Sequence, residues 1–399
     1  MIFRKKEEKY TLLFNENQLK EKMSNLELNA LLLADDKCIF YFTDLPITAN
    51  AINTVLFTLK EISPCILFIT NNNKRTLLCP ETLAQYLEEN LQSIQPLFYK
   101  SPIFIDYWGE NTNKPEIYAD TFWDGLIKFI KENNLILAKI GIDSNINSYW
   151  ANNLSREFPR LRICDARKYL SEMRMIKTSE EIRRIKVATD VANSALEVVR
   201  SEIESNKRQK EIELFIKLRT EIVNKGCQWN STTLASGSYS SDIYHLPTNY
   251  ELKKGDAVRL DIGPVYHGYG TDVARTFFVS RGVSKKLEKL YEILVEAQEK
   301  VIKNISPGGH AGKLFHIGQE YVRSNGYPQY TRTMIGHGTG IETEEDPFIS
   351  PNSDVVLQPG MVLSIEIPYY IKGIAGLNVE DVVLVTNNGY QVIGPYLDK

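Results

Sequence analysis

Four acidic residues fall inside runs that otherwise read as buried strand. Asp261 lies in Val-Arg-Leu-Asp-Ile-Gly, Asp272 in Gly-Thr-Asp-Val-Ala-Arg, Glu366 in Leu-Ser-Ile-Glu-Ile-Pro and Glu380 in Asn-Val-Glu-Asp-Val-Val. An isolated buried carboxylate is very costly and normally protonates. Four of them in one stretch need compensation, and metal ions supply it efficiently. His337, in Ile-Gly-His-Gly-Thr-Gly, adds an imidazole flanked by glycines that let backbone and ring come close to a site. One imidazole with four carboxylates is an oxygen-rich set, suited to Mn, Co, Fe or Zn rather than copper. It contains no thiolate of the kind a structural zinc site uses. Two ions sharing such carboxylates could deprotonate a bridging water and polarise a carbonyl. Taken singly, each residue has an ordinary explanation: an acid at a strand edge, a histidine in a loop. Their joint occurrence is what points to chemistry. Glu380 has Asp381 beside it, and adjacent strand residues face opposite sides, so composition leaves open which of the two points inward.

The elements that must hold these residues are readable in outline. At 399 residues the chain is too long for one ordinary core and implies two domains, 1–172 and 173–399. In the first, Ala30 to Ala34, Cys38 to Thr43, Cys65 to Thr70 and Lys139 to Asp143 read as strands. Asn71-Asn72-Asn73 reads as a turn, and Asp120 to Lys131 has helical spacing. This is a mixed α/β domain without a catalytic constellation. Thr178 and Glu181 fit a capping box opening a long helix, whose apolar residues run from Ile182 to Val199. Strands follow at Ala257–Val265, Asp272–Ser280, Val362–Tyr370 and Leu377–Val385, with a helix over Lys285–Ile305.

Composition narrows the partners. A net charge of −3 with interleaved signs gives no basic surface for nucleic acid or an anionic membrane. No apolar run is long enough to cross a bilayer, and the N-terminus lacks an apolar signal core. Five cysteines, widely spaced and with no Cys-x-x-Cys pair, predict neither a disulfide framework nor a cysteine zinc site, which fits a reduced, cytoplasmic setting. His267, His310 and His316 match no ligand spacing, and His310 is expected in a turn. Neither a phosphate-binding glycine loop nor a nucleophile elbow is present.

With these residues in view, the C-terminal part from about Ile176 resembles the pita-bread metallopeptidases: methionine aminopeptidase, Xaa-Pro aminopeptidase and prolidase. Creatinase shares that fold without metals. The order Asp, Asp, His, Glu, Glu matches, as do the separations of 11 residues from Asp261 to Asp272, 29 from His337 to Glu366 and 14 from Glu366 to Glu380. Asp272-Val273-Ala274-Arg275-Thr276, Pro359-Gly360-Met361 and Val379-Glu380-Asp381 match too. The N-terminal half resembles, less specifically, the creatinase/prolidase N-terminal domain. The resemblance implies a mixed α/β domain followed by a curved antiparallel sheet. It also implies a dinuclear centre of Mn, Co or Zn held by Asp261, Asp272, His337, Glu366 and Glu380, with Glu380 chosen over Asp381. The reaction would be removal of the N-terminal residue from a peptide by a metal-bridged hydroxide. Glu366 would double as general acid/base, and His245 would bind substrate near the scissile bond. A homodimer is implied by the same likeness. Two positions depart from the pattern: Glu344 stands where the family carries a second histidine, and Asn378 where its branch often has arginine. Glu344, facing substrate, should disfavour a carboxylate next to the scissile bond. The alternatives are a metal-dependent hydrolase of a non-peptide amide and a non-catalytic binding protein.

Overall fold

The computed structural model describes residues 12–45, 64–90, 94–101, 114–143, 148–205, 207–229, 231–280 and 282–394. The chain divides into two compact units, with the division after Met173.

In the first unit, α1 (Glu16–Asn25), β1 (Ala30–Leu33) and α2 (Asp36–Thr43) are followed by β2 (Ile66–Thr70), β3 (Arg75–Pro80), α3 (Ala84–Asn90), β4 (Gln95–Tyr99) and β5 (Ile117–Ala119). Then come α4 (Phe122–Glu132), β6 (Lys139–Ile142), α5 (Ser148–Glu157), β7 (Arg162–Asp165) and α6 (Arg167–Met175), which runs across the division. The seven strands form one mixed sheet in the order β5-β4-β3-β2-β1-β6-β7. Strands β1, β2 and β3 pair antiparallel and the outer pairs run parallel. The apolar stripe of α4, with Leu126, Phe129 and Ile130, packs on Leu32, Phe68 and Leu78 of the sheet, and the Phe68 and Phe129 rings stack at 3.9 Å.

One expected strand is a helix instead. Cys38 to Thr43 lies in α2, where Asp35 accepts a hydrogen bond from the Lys37 N–H as N-cap. All six residues are buried, so the run carries no periodicity that separates helix from strand. The Asp35-Asp36 pair before it was the distinguishing mark, a helix-start signal in side-chain chemistry.

The second unit opens with α7 (Ser179–Glu204) and α8 (Glu211–Asn224). Thr178 and Glu181 form the expected capping box, with Thr178 N–H donating to Glu181 Oε2 at 2.7 Å. Strands β8 (Thr232–Ser236), β9 (Ala257–Ile262), β10 (Val265–Tyr266), β11 (Tyr269–Gly270) and β12 (Val273–Phe278) precede two helices, α9 (Lys285–Lys303) and α10 (Ala311–Ser324). The remaining strands are β13 (Gly336–Gly338), β14 (Val362–Glu366), β15 (Tyr369–Ile371), β16 (Ala375–Leu377), β17 (Glu380–Thr386) and β18 (Gly389–Val392). The main sheet runs β13-β14-β17-β12-β9-β8, with β18 also on β17, and every pairing in it is antiparallel. His310 is the residue before α10 and bridges Val356.

Side chains alternate across a strand, and this sheet uses the two faces differently. Leu363, Ile365, Val383 and Val385 share a core with Leu294, Val301 and Phe315 of α9 and α10. Their neighbours Ser364, Glu366, Glu380 and Val382 therefore project from the opposite face.

Candidate metal centre

Register explains how residues 119 positions apart in sequence meet. Asp261 on β9 pairs with Ala274 on β12, Ala274 pairs with Glu380 on β17, and Glu380 pairs with Glu366 on β14. Directly opposed residues share a face, so these four form one row across four strands. Asp272, two residues before Ala274, projects on the same side. His337 on β13 opposes Ser364, two residues before Glu366, and joins that face as well. Ala274, fully buried, is the small member of the row and stands between Asp261 and Glu380.

The donor atoms converge as two overlapping triads. Carboxylate oxygens of Asp261, Asp272 and Glu380 lie within 4.8 Å of one another. So do donor atoms of Asp272, His337 and Glu344, which makes Asp272 common to both. Glu366 sits beside them in the row, and Arg332 donates to its Oε1 from Nη2 at 3.2 Å. Ser364 Oγ lies 2.8 Å from both Glu380 Oε1 and the Asp272 carbonyl oxygen, and so ties two strands at the site. Asn378 Nδ2 reaches Asp261 Oδ2 at 3.5 Å. Asp381, by contrast, turns to the other face and accepts from Arg275 Nη2 at 2.5 Å.

The glycines beside His337 have a measurable reason. A Cβ on Gly336 would stand 2.3 Å from the Ser364 carbonyl oxygen, and one on Gly338 would stand 2.3 Å from that of Asp346. Side chains at either position would push β13 away from its neighbours. His337 Nδ1 lies 3.1 Å from the Gly338 carbonyl, which can only accept, so Nδ1 carries the proton. The Nε2 lone pair then faces Glu380 Oε1 at 3.7 Å and Asp272 Oδ2 at 3.9 Å. That is the tautomer a metal-binding imidazole needs.

The electrostatics are those of a site short of positive charge. Burial, then repulsion from Glu380 and Asp261, pushes the Asp272 carboxyl well above the usual range. Burial, then Asp261 and Glu366, does the same to Glu380. Asp261 is raised by burial against the pull of Arg259. Glu366 is pushed up to about 7, mainly by burial, although Arg332 opposes it. Burial also lowers the His337 imidazole, which favours the neutral ring. Asp272 Oδ1 is buried with no hydrogen-bond partner. An orphaned carboxylate oxygen inside an oxygen-rich donor set is what a hard divalent cation would satisfy, so the residues present fit one.

His245 is not among these donors. Its Nε2 lies 2.9 Å from Oε2 of Glu211, and its ring stacks on Tyr239. Glu211 is fully buried at the start of α8 and also accepts from the Ser236 N–H, the Thr248 N–H and the Thr248 hydroxyl. Sequence reasoning missed Glu211, Arg332 and Ser364. Nothing local marks them, since their partners lie 34, 34 and 16 residues away.

Residues 183–387, more than half of the chain, match the family described as Metallopeptidase family M24. This chain belongs to that family. Residues 17–176 match the Creatinase/Prolidase N-terminal domain. The pita-bread architecture of the second unit and the creatinase/prolidase character of the first follow from these two matches. The chain is 27% identical over 334 residues to the Xaa-Pro dipeptidase of Pyrococcus furiosus, covering 77% of this chain and 95% of that protein. It is 31% identical to a putative dipeptidase of Bacillus subtilis, covering 70% and 77% respectively. Among solved structures it resembles the prolidase of Pyrococcus horikoshii, with a TM-score of 0.77 at 24% identity over 96% of this chain and 98% of that one. It likewise resembles the X-Pro aminopeptidase of Thermotoga maritima, with a TM-score of 0.77 at 21% identity, covering 96% and 98%. At those identities the structural likeness speaks for the fold. Family membership and the two donor triads together make the protein a metal-dependent hydrolase with a dinuclear centre. Among the described residues, no helix is long and apolar enough to cross a membrane.

Proposed function

We propose that this protein is an Xaa-Pro-type exopeptidase that removes the N-terminal residue from short peptides. The observation that carries the reading is the single row Asp261, Ala274, Glu380, Glu366, flanked by Asp272 and His337, in a chain of the M24 family. Relatives that are Xaa-Pro dipeptidases supply the substrate class.

In this reading Asp261, Asp272, His337, Glu366 and Glu380 hold two divalent ions, with Mn, Co and Zn the candidates. Bound there, the ions would acidify the attacking water and polarise the scissile carbonyl. Glu366 accepts the proton of that water and returns it to the leaving amine, a task for which a carboxyl near neutrality is suited. Arg332, 3.2 Å from Glu366 Oε1, orients the carboxylate and limits the rise of its pKa. His245 binds the substrate near the scissile bond. With its Nε2 engaged by Glu211, Nδ1 is the nitrogen that would meet the peptide. Ser364 fixes Glu380 and so keeps one carboxylate in a single rotamer.

Glu344 argues for a particular substrate form. Its carboxylate is exposed, yet within 4.8 Å of donor atoms on Asp272 and His337. A substrate carboxylate next to the scissile bond would meet it, so tripeptides and amide-capped peptides should be cleaved faster than Xaa-Pro dipeptides. The reading extends to a homodimer, in which a second copy covers Tyr244 and Leu246, which are 86% and 78% exposed beside His245. The wide spacing of the five cysteines, with no Cys-x-x-Cys pair, favours a reducing, cytoplasmic setting.

The test is a chelator-stripped preparation assayed with Mn, Co and Zn returned, on Xaa-Pro dipeptides, Xaa-Pro-Yaa tripeptides, Met-Xaa peptides and amide-capped versions. Metal-restored cleavage before proline, faster on the tripeptides, is the expected outcome. Faster cleavage of the dipeptides would refute the role given to Glu344. Two bound ions without any peptide cleavage would replace the peptidase reading with a hydrolase of another amide.

A further inference from the structure

The loop that carries Glu344 is fixed more firmly than its exposure suggests. It leaves β13 as a tight return, in which the Gly338 N–H donates to the Glu345 carbonyl at 2.8 Å and the Glu345 N–H donates back at 2.9 Å. The Glu345 side chain turns inward and accepts from Lys177 Nζ at 2.6 Å, both groups being almost fully buried. Arg174 caps its other oxygen. These cations hold the Glu345 carboxyl below the usual range despite its burial. A Cβ on Gly340 would stand 2.6 Å from Glu345 Oε1, so the loop closes around this ion pair. Glu344, the preceding residue, is then turned outward and toward Asp272 and His337.

Glu344, Asp272 and His337 bring three donor atoms within 4.8 Å of one another. The imidazole is neutral with its Nε2 lone pair inward, and two carboxylates stand within 4.8 Å of each other and of that ring. Two carboxyl groups and an imidazole lone pair so close together form a donor set that a divalent cation between them would satisfy. Asp272 Oδ1, buried and without a hydrogen-bond partner, is an independent sign that a ligand is missing there.

We propose that Glu344 is itself a metal ligand, added to the five of the proposed centre, so that one ion is held among Asp261, Asp272 and Glu380 with Glu366 beside them, and the other among Asp272, His337 and Glu344. This deepens the metallopeptidase reading and rests on it. Asp272, shared by the two triads, is the bridging residue. The ion at the His337 end gains a hard oxygen donor, which favours Mn over Zn at that position. A coordinated Glu344 still adds one negative charge to the centre, so the bias against a nearby substrate carboxylate persists. Lys177 and Arg174 act as positioning residues, holding Glu345 so that its neighbour reaches the ion.

The decisive experiment titrates Mn(II) into the chelator-stripped full-length protein and follows free Mn(II) by its EPR signal. The native chain should bind two ions. Glu344→Gln should bind one with unchanged affinity and the other about 10-fold or more weaker, in the range lost when a metal's supporting groups are removed. Glu344→His, which returns a donor, should recover most of that loss. Circular dichroism of the metal-free variants checks that an exposed, near-isosteric change leaves the fold intact. If the Glu344→Gln isotherm overlays the native one, or both ions weaken equally, Glu344 is not a ligand although the centre stands. If the native chain binds no Mn(II), the metal-centre reading falls and this inference with it.

Discussion

At the residue scale, the site depends on side chains that touch no donor. Glu211 is the clearest case: a fully buried carboxylate with four hydrogen-bond partners, one of them His245 Nε2. A carboxylate only accepts, whereas a carboxamide presents one oxygen and one NH2 to the same four groups. Glu211→Gln therefore leaves a donor facing a donor. The expected cost is about 1–3 kcal/mol of stability, the usual penalty for a mismatched buried polar group. If His245 binds substrate, a displaced ring should also lower kcat/KM by roughly 10-fold or more, since small misplacements are costly in catalysis. Metal stoichiometry should stay at the native value. A variant with lost stability but native kcat/KM would detach His245 from the reaction. None of this was legible in the sequence, where Glu211 reads as an ordinary first-turn acid of a helix. Arg332 is similar: a single arginine between two threonines, which gains its meaning only when Glu366 comes within 3.2 Å.

At the scale of elements, the sequence showed which runs are strands but not how they pair. The four acidic interruptions identified β9, β12, β14 and β17, because an acid in a buried run is conspicuous. The row across them was invisible, since register is a property of the folded sheet and a shift of one residue would turn every acid to the core face. The same logic misjudged Cys38 to Thr43, where uniform burial erased the periodicity. The register assigns a role to Ala274, a residue without chemistry. It is the spacer between Asp261 and Glu380, paired with both and fully buried. Ala274→Leu would drive an isobutyl group into the space between the carboxylates. We expect overpacking of about 1–3 kcal/mol and loss of at least one bound ion, with activity following. Ala274→Gly should keep both ions. Calorimetric titration of each variant with Mn(II) distinguishes them, and a leucine variant that still binds two ions would contradict the row as the centre's floor.

At the scale of the whole molecule, the centre couples metal, protons and stability. Without ions, Glu366 titrates at about 7, and Asp272 and Glu380 lie well above their ordinary range, chiefly through burial. A carboxyl raised in the folded state favours folding below its unfolded pKa, near 4, and loses that contribution as pH climbs through the folded value. The metal-free protein should accordingly become less stable between about pH 4.5 and 7.5. For Glu366 alone, raised from an ordinary carboxyl value to about 7, the loss is on the order of 3 kcal/mol. Bound divalent cations reverse the sign, because each ion repays the burial of the carboxylates around it and displaces their protons. The gap in melting temperature between Mn-loaded and chelated protein should therefore widen from pH 5 to pH 8. Saturating metal itself adds about 2.7 kcal/mol at 100 times Kd. Parallel thermal melts in Mn(II) and in chelator at four pH values measure that gap directly. A gap independent of pH would mean that the carboxylates are already ionised in the empty site, and that some cation of the protein itself, Arg332 foremost, compensates them.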